Sequence, residues 1–273
     1  MNPHTLIREG KPGDALAAVQ DQVRKDAANP KHRIFLFQLL CVMGEWKRAL
    51  NQLNVAGELD AAALPMVQTY REAIQCEALR REIFNGALAP LIFGRPPAWL
   101  ALLVEALRHD GAGDRERAAA MRAQAFEAAP AGAGSIDGQR FTWLADADGR
   151  LGPVLEAIIN GRYFWVPLQH IRRIAFDAPT DLRDTVWTPA SFTLANGAET
   201  VGLVPTRYVD TLPHGDDALL LARRTEWRED GHGLGQRMLV TDAGEYPLMD
   251  VHVIELDDVG AAADADEDGA AHG

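Results

Sequence analysis

The chain has 273 residues and a formal net charge of −12, with 47% hydrophobic and 24% charged residues. This composition excludes a wholly disordered chain, and the length favours two modest domains over one large domain. Residues 1–130 are nearly balanced in charge, so residues 131–273 carry almost all of the negative charge. Because such an acidic half repels phosphate backbones and anionic lipid headgroups, neither nucleic acid nor a membrane surface is expected as a partner.

Several enzyme classes are excluded because their motifs are missing. The only serines, Ser135 and Ser191, lie outside any Gly-x-Ser-x-Gly turn, and no lysine ends a glycine-rich phosphate loop. The histidines and the two cysteines, Cys41 and Cys76, lack the spacing of metal ligands or of a redox pair. The sequence therefore predicts no catalytic residue, no metal and no cofactor.

Apolar stretches are short. The longest, Ile34 to Met43, is about half of the roughly 20 residues that a membrane span needs, and the first fourteen residues contain no signal-peptide core. We therefore expect a cytoplasmic protein.

The front half, from Thr5 to about Pro130, has the composition and spacing of helices. Gly10 is followed five residues later by Ala15, and the same pair recurs 34 residues on as Gly44 and Ala49. This offset is the tetratricopeptide period, in which glycine permits the turn of a helical hairpin and alanine permits close helix packing. A third pair, Gly113 and Ala118, lies about two periods further on. The sequence predicts tetratricopeptide-like hairpins over residues 1–130, and an irregular helical bundle remains the alternative.

The second half is typical of a small, mostly antiparallel β domain over residues 139–256, joined to the first by a linker at 131–138. One short helix is predicted at Leu151 to Asn160, with Pro153 in its first turn and Gly161 after its end. Asn196-Gly197 predicts a hairpin turn. Residues 257–273 contain six acidic and no basic residues and predict a disordered tail. The fold class expected is therefore α+β, with two domains. The predicted strands are Phe141 to Ala145, Arg162 to Val166, Arg172 to Asp177, Thr185 to Leu194, Glu199 to Pro205, Arg237 to Thr241 and Met249 to Leu256.

Aromatic and arginine side chains are the strongest candidates for partner contacts, because exposed residues of these types commonly anchor protein interfaces. The same side chains can instead fill the core or the junction between the domains. The candidates chosen by residue type are Phe35, Trp46, Tyr70, Arg150, Tyr163 and Trp165.

Long segments in both halves resemble the ImpE family, also called TagJ or SciE, an accessory family of the bacterial type VI secretion system. The resemblance covers about residues 5–256 and excludes the acidic tail. The segments that carry it are FLFQLLCVMGEWKRALNQL at 35–53, YREAI at 70–74, CEALR at 76–80, DADGRLGPVLEAIINGRYFWVP at 146–167, VWTPASFTLANGAETVGLVPTRY at 186–208 and GLGQRMLVTDAGEYPLMDV at 233–251.

The resemblance implies a non-enzymatic adaptor. Proteins of this family bind the N-terminal region of the small sheath subunit, TssB, and are linked to sheath disassembly by the ATPase ClpV, which would be an indirect partner. Two alternatives stay open. One is a hydrolase or transferase with its site around Asp146, Asp148, Arg150 and Tyr163, and the other is a scaffold with several partners.

Overall fold

In the computed structural model, residues 2–214 and 216–257 are described, so most of the predicted acidic tail lies outside the described residues. The front half is helical and the back half is rich in strands, which confirms the α+β class. None of the described helices is long and apolar enough to cross a bilayer. The helices are α1 (Pro3–Arg8), α2 (Pro12–Lys25), α3 (Pro30–Val42), α4 (Trp46–Leu59), α5 (Leu64–Phe84), α6 (Ala98–Gly111), α7 (Arg115–Ala128), α8 (Thr211–His214) and α9 (Asp217–Leu220).

The predicted repeat pairs mark the turns of three helical hairpins, α1–α2, α3–α4 and α6–α7. Gly10, Gly44 and Gly113 have φ of 77°, 71° and 82°, a left-handed conformation that glycine adopts without a steric penalty. Ala15, Ala49 and Ala118, five residues further on, are each 0% exposed. The glycine spacing therefore predicted the turns correctly, and the small alanines lie where the helices meet.

Within the described residues, nine strands form one sheet, and two smaller sheets accompany it. In the large sheet the order is β1-β6-β5-β9-β8-β7-β14-β2-β3, and all neighbours are antiparallel except β1 and β6. The strands are β1 (Leu91–Ile92), β2 (Gly134–Ile136), β3 (Gln139–Phe141), β4 (Leu144–Asp146), β5 (Val154–Ile159), β6 (Arg162–Pro167), β7 (Ile171–Phe176), β8 (Trp187–Leu194), β9 (Glu199–Pro205), β10 (Thr225–Trp227), β11 (Gly233–Gly235), β12 (Met238–Thr241), β13 (Glu245–Pro247) and β14 (Val253–Leu256).

The helix predicted at residues 151–160 is wrong, because this segment forms strand β5. All six residues of β5 are buried, as expected for a central strand that is covered on both faces. Asn160 and Gly161, with φ of 49° and 71°, make the two-residue turn into β6. Positive φ at both turn residues is the geometry that Asn-Gly favours in hairpins, so Gly161 closes a hairpin and does not cap a helix.

The segment predicted as a linker, residues 131–138, also contains regular structure. Gly134–Ile136 form strand β2, which pairs with β14 and β3. A Cβ atom on Gly134 would lie 2.1 Å from the carbonyl oxygen of Glu255, so glycine is required by a close strand contact and does not mark a flexible joint. The predicted hairpin turn at Asn196-Gly197 is confirmed: Gly197 has φ of 81° and lies between β8 and β9.

Two hydrophobic cores lie on the two faces of the large sheet. The first contains side chains from the helices together with sheet residues such as Ile158, Trp165 and Trp187. The second contains the residues that alternate with these on the other face, including Leu155 and Val166, and is covered by the small β12–β13–β4 sheet. Since the helical half and the sheet share the first core, the domain boundary placed at residue 130 stays a prediction.

Candidate functional site

Four of the six candidate partner-binding residues lie in the interior. Tyr70, Arg150, Tyr163 and Trp165 are 7%, 4%, 1% and 0% exposed. A side chain with so little accessible surface offers little area to a partner that docks on the free protein, so Arg150, Tyr163 and Trp165 pack as core and junction residues, whereas Tyr70 keeps a small surface at the border of a cleft. Phe35 and Trp46 are half-buried and keep some accessible surface.

Trp46 opens helix α4 and packs against the strand residue Trp187, with 5.8 Å between the ring centroids. Its indole Nε1 is buried, and no described residue accepts a hydrogen bond from it. The exposed part of Trp46 is therefore apolar, and its polar atom is turned into the junction.

Tyr163 and Trp165 form a chain of hydrogen bonds that ends on Glu156. The Trp165 Nε1–H group donates to the Tyr163 hydroxyl over 2.9 Å, and that hydroxyl donates to Glu156 Oε1 over 2.6 Å. Burial raises the pKa of Tyr163 well above its ordinary value, so the hydroxyl stays a donor at neutral pH. All three side chains lie on the same face of β5 and β6, the face that meets the helices.

Glu156 is held by two arginines, of which Arg80 joins it to the helical half. Arg80 of α5 donates from Nε to Glu156 Oε1 over 2.5 Å and from a terminal nitrogen to Oε2 over 3.0 Å. Arg237, which precedes β12, donates to Oε2 as well. Burial on its own raises the pKa of Glu156, but the charges of both arginines outweigh it and lower that pKa to about 2.

The same arginine continues the network to Asp146. Arg237 donates to Asp146 Oδ2, and the Tyr208 hydroxyl donates to Asp146 Oδ1 over 3.0 Å. Burial raises the pKa of Asp146 to about 6, against the opposing charge of Arg237. Asp146 and Arg237 are 4% and 0% exposed, so their charges compensate each other away from water.

Arg150 forms a second buried ion pair beside this network. It donates to both carboxylate oxygens of Asp148, over 2.9 and 2.6 Å, and to Asp210 over 2.9 Å. Its guanidinium carbon lies 4.9 Å from the centroid of the Phe84 ring on α5. Desolvation opposes ionisation of Asp148, but the hydrogen bonds and charge of Arg150 hold the pKa of Asp148 below its ordinary value.

The residues of the enzyme alternative therefore lie together but are enclosed. Asp146, Asp148, Arg150 and Tyr163 are at most 4% exposed, and each carboxylate is already paired with an arginine. A general acid or base must reach the substrate proton, and this geometry provides no such access. The arrangement fits a polar joint between the two halves.

Sequence reasoning missed three members of this joint, Arg80, Glu156 and Arg237. A signal for Glu156 was present, because a single carboxylate inside the apolar run VLEAII must be paired if that run is buried. The partners of that carboxylate lie 76 and 81 residues away along the chain, so no local pattern identifies them.

Two open clefts lie where the helical half meets the β-rich half, and we call the first the α1–α3 cleft. It has a volume of about 520 Å³ and lies between α1, α3 and the segment 180–182. Phe35 stands in its wall with its ring stacked on that of His4, 4.2 Å between centroids. The spacing of the lining residues places them on one face of each helix: His4, Ile7 and Arg8 from α1, Lys31, Ile34, Phe35 and Gln38 from α3, and Thr180, Asp181 and Leu182 from the β-rich half.

The second cleft, about 570 Å³, lies between the start of α5 and strands β5, β8 and β9. Tyr70 borders it, and the guanidinium carbon of Arg183 lies 4.8 Å from the centroid of the Tyr70 ring. Arg183 also pairs with Asp181 and contacts the sulfur of Met66 over 3.1 Å. The guanidinium of Arg183 is therefore already engaged within the protein.

Comparison with known proteins gives the family. Residues 138–255 match the profile of the family described as ImpE protein. The chain is 58% identical over 252 residues to the type VI secretion system accessory component TagJ of Pseudomonas aeruginosa, covering 92% of this chain and 90% of that protein. The fold matches an X-ray structure of a Vibrio parahaemolyticus protein with a TM-score of 0.85 at 24% identity, covering 93% of this chain and 97% of the other. Because the Pseudomonas protein is 58% identical over 92% of this chain, and because the family profile also matches, the chain belongs to the ImpE family, which includes TagJ.

Proposed function

We propose that this protein is a non-enzymatic, cytoplasmic adaptor of the type VI secretion system. In this proposal it binds the N-terminal region of the small sheath subunit TssB and is linked, through that subunit, to sheath disassembly by ClpV. The similarity to a protein named as an accessory component of that system supports the general role. The α1–α3 cleft carries the proposal, because it is an open hollow between helical hairpins with apolar walls, a shape suited to a peptide.

The enclosed carboxylates support an adaptor over an enzyme. Two carboxylates with strongly shifted pKa values, Asp146 and Glu156, lie inside a dense network of ion pairs and hydrogen bonds and are at most 4% exposed. Perturbed pKa values mark a catalytic site only when the group also faces a substrate. Here the perturbation follows from burial and pairing at a structural joint.

Calorimetric titration of the N-terminal TssB peptide into the full chain tests the proposal. The full chain is required because the helical half shares its core with the sheet, so residues 1–130 alone would expose the apolar faces that the sheet covers. We expect saturable binding, and no binding of a peptide with the same composition in scrambled order. Absence of heat with the native-order peptide, at concentrations that saturate comparable complexes, would contradict the proposal.

The contribution of Phe35 gives a sharper version of this test. A hot-spot aromatic loses about 2 kcal/mol or more on truncation, so Phe35→Ala should weaken the peptide about thirtyfold. Trp143→Ala is the matched control, because Trp143 is an aromatic residue that is 39% exposed and lies outside the α1–α3 cleft. Equal affinities of the two variants would exclude Phe35 as an anchor.

A pull-down from cells with an active secretion system separates the adaptor from the scaffold alternative. An adaptor recovers TssB in preference to other components, and ClpV only when TssB is present. A scaffold recovers several components whether or not TssB is produced, and that result would replace the adaptor role.

A further inference from the structure

We infer that the α1–α3 cleft selects a peptide segment that carries carboxylates next to large apolar side chains. The inference rests on the proposed function and specifies the chemistry of its partner. The charge of the cleft, an amide on its floor and the apolar residues of its walls support it independently of one another.

The charge of the cleft is opposite to that of the molecule. Arg8 and Lys31 are exposed on its rim, and neither forms an ion pair with any part of the chain that the structure describes. The carboxylate of Asp181, which also lines the cleft, is already paired with Arg183. In a chain of net charge −12, two unpaired cations beside a hollow favour a partner with negative charge there.

The floor of the cleft holds a polar side chain with unused hydrogen-bonding capacity. Gln38 is only 4% exposed, yet its side-chain amide makes no hydrogen bond to any residue in the described ranges. Neither amide atom of Gln38 is among the fully buried, unpartnered polar atoms of the described residues, so the amide opens into the cleft, where an occupant can hydrogen-bond to it. Because this amide both donates and accepts, it suits a peptide group of an incoming segment.

The walls are apolar on three sides. Ile7, Ile34 and Phe35 come from the two helices and are only partly buried, and Leu182 comes from the β-rich half. A large apolar side chain of the partner can therefore pack against these walls. Arg8 and Lys31 lie at the edge of the same cleft. Apolar walls beside two cations favour binding of a segment that is both acidic and apolar over binding of a segment that is only acidic.

Leu182 and its neighbours make the β-rich half part of the binding site. The segment 180–182 is fixed by Asp184, whose Oδ2 accepts hydrogen bonds from the backbone nitrogens of Thr180 and Asp181, both over 2.8 Å. The cleft is thus a site of the whole chain and is incomplete in the helical half alone.

Fluorescence anisotropy with a labelled N-terminal TssB peptide tests the inference on the full chain. In Arg8→Glu/Lys31→Glu the affinity should fall at least about tenfold, and the remaining affinity should depend less on salt. Arg95→Glu/Arg117→Glu is the matched control, because it reverses two exposed arginines that lie outside the cleft and form no ion pair within the described ranges. A peptide whose carboxylates are replaced by lysines should bind the Glu/Glu variant better than it binds the unmodified chain.

Gln38→Leu tests the amide separately. The leucine keeps the approximate volume and removes the amide, so the variant should keep a melting temperature close to that of the unmodified protein while binding the peptide several-fold more weakly. If the native peptide binds the unmodified chain and keeps its affinity in both cleft variants, the inference is overturned and the proposed function stands. If the peptide does not bind the unmodified chain at all, both are overturned.

Discussion

Arg207, in the β-rich half, donates a hydrogen bond of 2.8 Å to the main-chain carbonyl of Val42, the last residue of α3. It also donates to the carbonyls of Cys41, over 3.3 Å, and Leu220, over 2.6 Å. The last carbonyls of a helix lack partners within the helix, and a cation placed there is favoured by the helix dipole. Burial lowers the pKa of Arg207 to about 10, which still leaves the guanidinium charged at neutral pH.

We therefore expect Arg207→Met to lower the free energy of unfolding by about 3 kcal/mol or more, because buried carbonyls lose their donor. Urea unfolding followed by circular dichroism measures the change. Arg95→Met, at an exposed loop position, should change stability by no more than about 0.5 kcal/mol. Similar values for the two variants would show that the cap contributes little.

The repeat alanines give a second prediction. Ala49 is 0% exposed where α4 meets its neighbours, so Ala49→Leu should destabilise the fold by about 1–3 kcal/mol through overpacking. Ala61 lies exposed in the short 3-10 helix before α5, and the same change there should be milder. Thermal unfolding of both variants compares them, and equal melting temperatures would argue against close helix packing at Ala49.

Arg237 gives a third prediction, since it compensates two buried carboxylates at once. Arg237→Met removes an ion-pair partner from both Asp146 and Glu156. Removing one partner of a buried ion pair lowers the free energy of unfolding by about 3–5 kcal/mol. Arg24→Met is the control, because Arg24 pairs with Asp21 on the surface and surface pairs contribute about 0–1 kcal/mol. Denaturant midpoints that shift equally in the two variants would count against a stabilising role for the joint.

The pH dependence of stability is the fourth prediction. The pKa of Glu156 is about 2 in the fold, below its ordinary value of 4.5, so between these values the unfolded chain binds more protons. Stability contributed by Glu156 is therefore present above pH 4.5 and is lost as the pH falls towards 2. Asp146 acts in the opposite sense: its pKa is raised from 3.8 to about 6, so its contribution falls as the pH rises through that window.

Urea unfolding at several pH values below 4.5 tests this assignment. In Glu156→Gln the loss of stability with falling pH should be shallower than in the unmodified protein, because residue 156 no longer takes up a proton on unfolding. Glu199→Gln, at an exposed position on β9, should leave the slope unchanged. An unchanged slope in the Glu156 variant would assign the acid sensitivity to other carboxylates.

The extent to which the fold could be predicted differs between the two halves. The helical hairpins depend on local rules, since Gly10 and Gly44 end helices in a conformation that glycine adopts without strain. Strand β5 was mistaken for a helix because Pro153 and Gly161 resemble helix-end signals, and a six-residue apolar run has no distinctive period. The dipeptide Asn160-Gly161 was the local signal that indicated a hairpin.

The site was less predictable, for a physical reason. Large aromatic residues such as Tyr163 and Trp165 occur both in protein cores and at interfaces. Only the fold decides which of these two environments each residue occupies. Arg150 and Asp148 illustrate the same limit, because their pairing is local but their enclosure depends on Phe84 of α5 and on Asp210. By contrast, the half-buried Phe35 lies at an open cleft, where His4 of α1 stacks on one side of its ring.

The anchoring of α3 by Arg207, and of segment 180–182 by Asp184, has a consequence for the thermodynamics of recognition. Stacked hairpins in long solenoids can flex along their length, whereas here α3 and the segment 180–182, on two sides of the α1–α3 cleft, are both fastened to the β-rich half. A receptor that is already in its bound shape loses little conformational entropy when it takes a ligand. Nearly all of the ordering on association would then occur in the partner segment, and changes in that segment's intrinsic helicity would alter affinity without any change in the cleft.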